Sequence, residues 1–182
     1  MRAFAATLIL ASVTMAGCAT GPSVRVNHNP ADNLTAYKTF GFFEHASTDH
    51  GAPYTSLMTV RLQQATRTQL ERLGYSYDEK SPQLRVNFFA NVTDRQELRA
   101  TGTSFYSYRF YRPWHAYPHD LETLEYKAGT LSIDLVDTKT QSVVWQGLAE
   151  GRVSSAAYKQ PGLTIDRVVS DIFQKFPQPP SS

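Results

Sequence analysis

The sequence is poor in two features that would define a protein class at once. Among its 182 residues there is one cysteine, Cys18, so a disulfide framework is excluded because a disulfide needs two thiols. The N-terminal uncharged stretch covers residues 3–15, which is thirteen residues. A helix needs about 20 apolar residues to cross a bilayer, so this stretch does not predict a transmembrane helix.

Charge of one sign is also lacking. The chain has 18 basic and 16 acidic residues, a formal net charge of +2, and the basic residues are scattered. This distribution argues against nucleic acid as a partner, because a phosphate backbone is neutralised by clustered lysine and arginine. The sequence contains no nucleophile elbow, phosphate-binding loop or cysteine–histidine pair. We therefore expect a non-enzymatic protein with no cofactor.

The first residues have the pattern of an export signal. Met1 and Arg2 provide a short positive region, and residues 3–15 provide the apolar region of a signal peptide that ends at residue 17. Ala16 and Gly17 precede Cys18, and this arrangement resembles the lipobox of bacterial lipoproteins. The resemblance implies cleavage before Cys18 and attachment of fatty acyl chains to it. The alternative is an ordinary secretory signal followed by a free cysteine.

Lipidation at Cys18 predicts a tethered protein, because several acyl chains hold a protein at a membrane where one chain alone binds weakly. Ala19 stands where an aspartate would, by analogy with enterobacterial lipoproteins, retain the protein in the inner membrane. We therefore expect the periplasm-facing side of the outer membrane. Residues 18–23 form a short tether that keeps the folded domain within roughly 20 Å of the lipid.

The mature chain alternates between strand and helix patterns. Strands are expected near Val24–Asn27 and at YKTFGFF, and residues 56–73 have the apolar periodicity of a helix, with Met58 and Leu62 on the inner face. Thr55 or Ser56 is expected to cap this helix and Gly74 to end it. His45, Asp49 and His50 precede it in an expected solvated loop.

Three more strands and a second helix complete the pattern. QLRVNFFANVT alternates strictly with period two, and GTLSIDLVD and VVWQGLAEG form an expected hairpin whose second strand points Val143 and Trp145 inward. LTIDRVVSDIFQKFP repeats apolar residues at helical spacing, with Asp166 in its expected first turn and Lys175 in its last.

These elements predict one α+β domain. About six strands, apolar on one face only, and two amphipathic helices are best satisfied by a two-layer sandwich, in which a mainly antiparallel sheet is covered on one face by both helices. The expected domain covers residues 24–176, and residues 177–182 are a flexible tail.

The order of the motifs resembles a known family. The lipobox, YKTFGFF, the helix ending in LERLGY, QLRVNFF, the YKAGTLSIDLVD–VVWQGLAEG hairpin and a final helix running into KFP follow one another as in the bacterial lipoproteins called domain of unknown function 4136. The resemblance implies an exported α+β lipoprotein domain. It implies no activity and no catalytic residues.

One segment is unusually aromatic. Residues 104–120 contain seven aromatic rings, while aromatic residues make up 12% of the chain. Alternation over Phe105–Tyr111 favours a strand with rings on both faces, and these rings either pair across strands or form a surface for a partner protein or a glycan. The residues expected on that surface are Phe105, Arg109, Tyr111, Arg112, Trp114 and Tyr117.

Two other groups have weaker chemical interpretations. His115 and His119 have the spacing of zinc ligands on a helix, but prolines at 113 and 118 disfavour a helix there, so no metal site is expected. Asp134, Asp137 and Glu150 could form a carboxylate cluster for acid–base catalysis, but a turn at Asp137 and a solvated sheet face explain them as well.

The sequence therefore favours a non-enzymatic lipoprotein that contributes to envelope structure or assembly by binding an envelope protein. The alternative is a periplasmic protein that binds or cleaves peptidoglycan or lipopolysaccharide through the aromatic segment 104–120.

Overall fold

The structure of the protein, a computed structural model, describes residues 21–29, 33–49, 51–100 and 121–177. These residues contain six strands, which are β1 (Ser23–His28), β2 (Thr39–Phe42), β3 (Ser76–Tyr77), β4 (Leu84–Ala100), β5 (Leu121–Asp137) and β6 (Val143–Arg152). The helices are α1 (Leu57–Arg72), α2 (Ser155–Lys159) and α3 (Pro161–Phe173), and single 3-10 turns lie at Leu34–Ala36 and Ser47–Asp49.

The strands form one mixed sheet in the order β1-β6-β5-β4-β2-β3. Pairing is antiparallel from β1 to β4, whereas β2 runs parallel to β4 and to β3. Parallel pairing follows from the connection, because α1 carries the chain from β2 back to the same end of the sheet. Both long helices contribute to a single core with the sheet, which confirms the α+β sandwich.

The core lies between one face of the sheet and the two long helices. Leu84, Val86 and Phe88 alternate along β4 and are fully buried, as the period-two pattern predicts. Trp145 on β6 lies 5.3 Å from the ring of Phe173, measured between ring centroids. Large side chains therefore fill this part of the interface between the layers.

The ends of α1 are set by local residues. The Ser56 hydroxyl accepts a hydrogen bond from the backbone N–H of Thr59 at 3.1 Å, and Gly74 has a φ of +90° just after the helix. Asp49 is buried, at 6% exposure, although a solvated loop was expected. Its carboxylate accepts hydrogen bonds from the Thr59 hydroxyl at 2.6 Å and the Ser56 N–H at 2.9 Å. The segment before α1 is thus tied to the helix.

Hydrogen bonds outweigh burial in setting the pKa of Asp49. Burial by itself raises the pKa of a carboxyl group, but the hydrogen bonds from Thr59 and Ser56 favour the charged form and hold the pKa of Asp49 below its ordinary value. An unpartnered carboxylate at this position would be strongly unfavourable. The carboxylate therefore has a structural role in joining the loop to α1.

One expected side-chain position in β6 was wrong. Val143 was expected inside with Trp145, but a register shift between Leu135 and Val136 lets β6 bulge, so that Val144 and Trp145 are both buried and Val143 is 51% exposed.

The last helix is also displaced from its expected bounds. Pro161 occupies the first turn of α3, where its missing N–H costs nothing. The helix therefore starts earlier than expected, and Asp166 lies beyond its first turn. It ends at Phe173, before Lys175, whose ammonium group donates to the Val24 carbonyl at 2.6 Å instead.

The strands β4 and β5 are much longer than the sequence pattern suggests. Each has seventeen residues, and they pair along their whole length, from Leu84 with Asp137 to Ala100 with Leu121. The expected strand ended near Thr93. Beyond that point, backbone pairing continues without the buried alternation that made the first half recognisable.

Candidate functional site

A groove of about 1030 Å³ lies between the helices and one end of the sheet. We call this the open end, where Val92, Gly129 and Gly151 lie side by side on three neighbouring strands. The opposite end, at Leu84 and Asp137, is called the closed end.

Mostly small residues make the floor of the groove, with Leu131 of β5 lying between Ala90 and Ala149. Ala90 and Gly129 belong to β4 and β5, and Ala149 and Gly151 belong to β6. All four lie on the face of the sheet that carries Phe88 and the other large core residues towards the closed end. The helices therefore span a gap that these four small residues, even with Leu131 beside them, do not fill.

The walls of the groove are apolar and partly exposed. Met58 from the first turn of α1 is 47% exposed and Leu163 from the start of α3 is 65% exposed. Val92 extends the floor towards solvent with 54% of its surface exposed, and Ala157 of α2 lines the same recess. Met58 was expected on the buried face of α1, and it lies instead over the groove.

A polar rim borders the groove. Asn91, Gln160, Arg167 and Asp171 line it, so both charges are represented. Arg152 also lines it, forms an ion pair with Glu97 and lies with its guanidinium 4.0 Å from the centre of the Tyr126 ring. The rim therefore does not select for a charge of one sign.

The first described residues enter the domain at this groove. Gly21 and Pro22 line it, immediately before β1 pairs with the end of β6. A Cβ atom placed on Gly151 would lie 3.1 Å from the Cα of Pro22, so the backbone passes close to the floor. The chain that precedes residue 21 thus departs from the open end of the sheet.

A two-stranded arm also projects from the open end. β6 pairs with β5 only as far as Ala128, whereas β4 and β5 pair for seven further residues, from Asp94 with Lys127 to Ala100 with Leu121. Seven residues of extended chain span about 20 Å. We call residues 94–100 and 121–127 the arm.

Polar contacts join the two strands of the arm. The Lys127 ammonium donates to the Asp94 carboxylate at 2.8 Å, and this hydrogen bond raises the pKa of Lys127 above its ordinary value. The Gln96 amide donates to Glu125 at 3.0 Å. Leu98 is 68% exposed on the arm. The arm is thus a ribbon held by backbone pairing and surface contacts, with little burial.

The residues predicted to form a ligand or partner surface lie outside the described residues. Residues 101–120 connect Ala100 and Leu121, which pair with each other at the end of the arm. Cys18 also lies outside the described residues. These predictions remain predictions, and they concern Cys18, Phe105, Arg109, Tyr111, Arg112, Trp114, Tyr117, His115 and His119.

The carboxylates considered for catalysis have separate structural partners. Asp134 accepts hydrogen bonds from the Ser132 hydroxyl at 2.8 Å and the Gln146 amide at 2.9 Å, whereas Glu150 forms an ion pair with Arg25 at 2.6 Å.

The third carboxylate, Asp137, is a turn residue. It accepts from the N–H of Lys139 at 2.6 Å and from the hydroxyl of Tyr37 at 2.7 Å. The hydrogen bond from Tyr37, followed by that from the Thr140 N–H, lowers the pKa of Asp137 below its ordinary value. These contacts fit the role of Asp137 as a turn residue.

A shallower recess of about 500 Å³ at the closed end is lined by Lys80, Arg85 and Lys139 together with polar residues. In the part of the chain that the structure describes, no three histidine, cysteine, aspartate or glutamate residues are grouped as metal ligands. Within the same residues, no helix combines the length and the apolar character that a membrane span requires.

Comparison with known proteins identifies the family. The model of the family described as domain of unknown function 4136 matches residues 24–178, which is most of the chain. The chain belongs to this family. No curated protein matches the sequence at significant similarity.

Solved structures support the same fold. A domain of unknown function 4136 family protein from Bacteroides thetaiotaomicron is 15% identical, with a TM-score of 0.51, and the match covers 85% of this chain and 95% of that one. A PDZ domain protein from Parabacteroides distasonis is 12% identical, with a TM-score of 0.53 and 89% of this chain covered. The match spans 38% of that longer chain. At such identities the likeness concerns the fold alone.

Neither the groove nor the arm was predicted from the sequence. The signal for the groove was present, because Gly147, Ala149 and Gly151 place three small residues in a row on the inward face of β6. For the arm, residues 94–100 and 121–127 carry too many charged residues to show a buried face. Their only sequence signal is opposite charge at paired positions such as Asp94 and Lys127.

Proposed function

We propose that this protein is a non-enzymatic, lipid-anchored binding domain that faces the periplasm from the outer membrane and contributes to envelope structure or assembly. Acyl chains on Cys18 hold it at the lipid, and the arm contacts an envelope partner close to that surface. The observation that carries the proposal is the departure of both the arm and the N-terminal chain from the open end of the sheet.

The strand register supports this arrangement. Ser23 pairs with Glu150, Glu150 with Thr130 and Thr130 with Asn91, so the first residue of β1 lies level with Asn91. From that level β4 continues through the arm to Ala100.

The length of the tether strengthens the argument. Cys18 precedes Gly21 by three residues, which span at most about 11 Å, whereas the arm extends about 20 Å past the end of β6. The end of the arm therefore reaches at least as far from the sheet as the anchor does. A partner of the arm must lie at or near the membrane surface.

In-cell photo-crosslinking tests the proposal. A photoreactive residue at position 98, on the arm, is expected to capture a discrete envelope protein, and capture is expected to disappear in Cys18→Ser because the domain is no longer held at the lipid. The matched control position is Lys139, exposed in the turn at the closed end. Equal capture from both positions, or capture from position 98 that survives Cys18→Ser, would contradict the proposal.

A simpler measurement tests the anchor itself. Wild-type protein is expected in the membrane fraction and labelled by palmitate, and Cys18→Ser protein is expected in the soluble periplasm without label. Label that persists in Cys18→Ser would refute attachment at this residue.

The second candidate function, glycan binding, is favoured by the position of the aromatic segment. Residues 101–120 start and end at the tip of the arm, and they include Trp114 and six other rings that could stack on sugars. Retention on purified peptidoglycan that is lost in Trp114→Ala would favour the glycan over a protein partner. No retention would remove this candidate.

A further inference from the structure

We propose that the groove at the open end is the seat of one acyl chain attached to Cys18 of the same molecule. This inference rests on the proposed lipidation, which provides the chain. It adds that the anchor has two parts, one in the bilayer and one in the protein.

The volume and lining of the groove suit a hydrocarbon chain. Its volume of about 1030 Å³ is at the upper end of the range of ligand pockets, which is roughly 300–1,000 Å³. The floor of Ala90, Gly129, Leu131 and Ala149 is apolar, and the flexible side chain of Met58 can adapt to an occupant without fixed shape. An elongated apolar ligand with few polar groups matches these properties.

The place where the chain leaves the structure identifies the source of the hydrocarbon. Gly21 and Pro22 line the groove, and Cys18 lies three residues earlier, within about 11 Å of Gly21. Short linkers raise the local concentration of an attached group to the millimolar range. An acyl chain on Cys18 therefore has an advantage over any lipid that must arrive from solution.

The energetics favour occupancy although the acyl chain also has a place in the bilayer. Moving it from lipid into the groove exchanges one apolar environment for another, so the chain itself loses little. The protein gains, because Met58, Val92 and Leu163 are 47%, 54% and 65% exposed and become covered. Since Cys18 of a triacylated lipoprotein bears more than one chain, the others stay in the membrane and keep the protein anchored.

Occupancy would also orient the domain. A chain that runs from Cys18 into the groove holds the open end of the sheet against the lipid, and the arm then lies at the membrane surface. A tether without this contact allows the domain to tumble within the reach of residues 18–23.

The experiment is intramolecular photo-crosslinking in membranes. Cells that make and lipidate the full chain are supplied with a palmitate analogue that carries a diazirine in its acyl chain, membranes are irradiated, and the peptides are analysed by mass spectrometry. We expect crosslinks that join the Cys18 peptide to peptides containing Met58 and Leu163 of the same molecule.

Variants of the groove provide the specificity test. Leu163→Asp places a carboxylate in the groove and is expected to reduce these crosslinks about tenfold, because a charge is strongly disfavoured beside hydrocarbon. Its control is Leu57→Asp, at a residue that is 85% exposed and does not line the groove.

A second pair guards against unfolding of one variant. Ala157→Trp fills the groove from α2, and Ser155→Trp adds the same ring at an exposed position of that helix outside the groove lining. Crosslinks are expected to fall in Ala157→Trp and to remain in Ser155→Trp, with thermal unfolding measured for both. Crosslinks unaffected by Leu163→Asp and by Ala157→Trp would overturn the inference.

The remaining outcomes separate this inference from the proposed function. If Cys18 incorporates no label, the lipid anchor fails and the groove inference fails with it. If Cys18 is labelled but crosslinks only to lipids, the anchor stands and the groove inference is overturned. If the groove peptides carry phospholipid adducts in place of the Cys18 peptide, or if Cys18→Ser protein copurifies with bound lipid, the occupant is a free lipid and the assignment to the protein's own chain is wrong.

Discussion

At the closed end of the sheet Phe88 lies opposite Ile133 and both are fully buried, whereas at the open end Val92 lies opposite Gly129 and is 54% exposed. Both pairs occupy the same two strands and the same face, four residues apart. The pairing of β4 with β5 is regular from one pair to the other, so the difference comes from the side chains and from what covers them. One continuous ladder thus has two functions: at one end it provides the core, and at the other it leaves a groove and continues as the arm.

Regular pairing of strands does not by itself indicate a packed core. Burial drives folding where large side chains meet the helices, and backbone hydrogen bonds then extend the same strands into regions with little burial. A region that adds little to stability is free to carry a binding site. Four predictions test this division, in order of decreasing effect on stability.

The largest difference is expected between truncations on β4. Phe88→Ala should lower the free energy of unfolding by about 3–5 kcal/mol, because it removes a fully buried ring and leaves a cavity. Val92→Ala, on the same face, should change it by less than about 1 kcal/mol, because half of the side chain already faces water. Urea denaturation measures both values. Similar losses would show that the open end is packed as tightly as the closed end.

Replacing an inward-facing glycine by alanine should likewise cost more stability towards the closed end than at the open end. A Cβ on Gly147 would lie 2.3 Å from Ile172 and 2.6 Å from Trp145, so Gly147→Ala should destabilise the protein by about 1–3 kcal/mol through overpacking. A Cβ on Gly129 would meet only Val153, at 3.1 Å, so Gly129→Ala should be within about 1 kcal/mol of wild type. Thermal unfolding of the two variants decides the matter, and an equal loss in both would remove the distinction.

Acid should reveal the role of a charged residue at the closed end. The folded pKa of Asp137 is below its ordinary value of 3.8, so its stabilising contribution is present above that pH and is lost as pH falls through the folded pKa. Asp137→Asn should cost about 1 kcal/mol near pH 7 and should flatten the loss of stability below pH 4. Urea denaturation of wild type and Asp137→Asn near pH 7 and below pH 4 tests this. If the variant loses stability in acid as much as wild type does, groups other than Asp137 cause the acid dependence.

The smallest effect on stability is expected in the arm. Arg152→Ala removes the contacts with Glu97 and Tyr126 but should change the free energy of unfolding by less than about 1 kcal/mol, because the groups are exposed. Amide hydrogen exchange in residues 94–100 should nevertheless become faster, while exchange in residues 84–90 stays unchanged. Arg25→Ala, which breaks the exposed pair with Glu150, is the control and should leave the arm unaffected.

Local patterns account for the elements that were predicted. Period-two alternation identified the buried half of β4, the turn chemistry of Asp137 identified the β5–β6 hairpin, and Ser56 and Gly74 identified the ends of α1. Each of these signals acts over a few neighbouring residues, so it can be read without knowing the partner. The bulge at Val143 escaped prediction because it depends on the register with β5.

Composition, periodicity and short motifs are enough to identify the α+β domain, its family and the pattern typical of export and lipidation. The folded structure is needed to see that Ala90, Gly129 and Gly151 lie on adjacent strands beneath Met58 and Leu163, and that the N-terminal chain departs beside them. The groove forms because segments that are distant in sequence leave space between their side chains. Its existence depends on strand register and on where the helices begin, which no single stretch of sequence specifies.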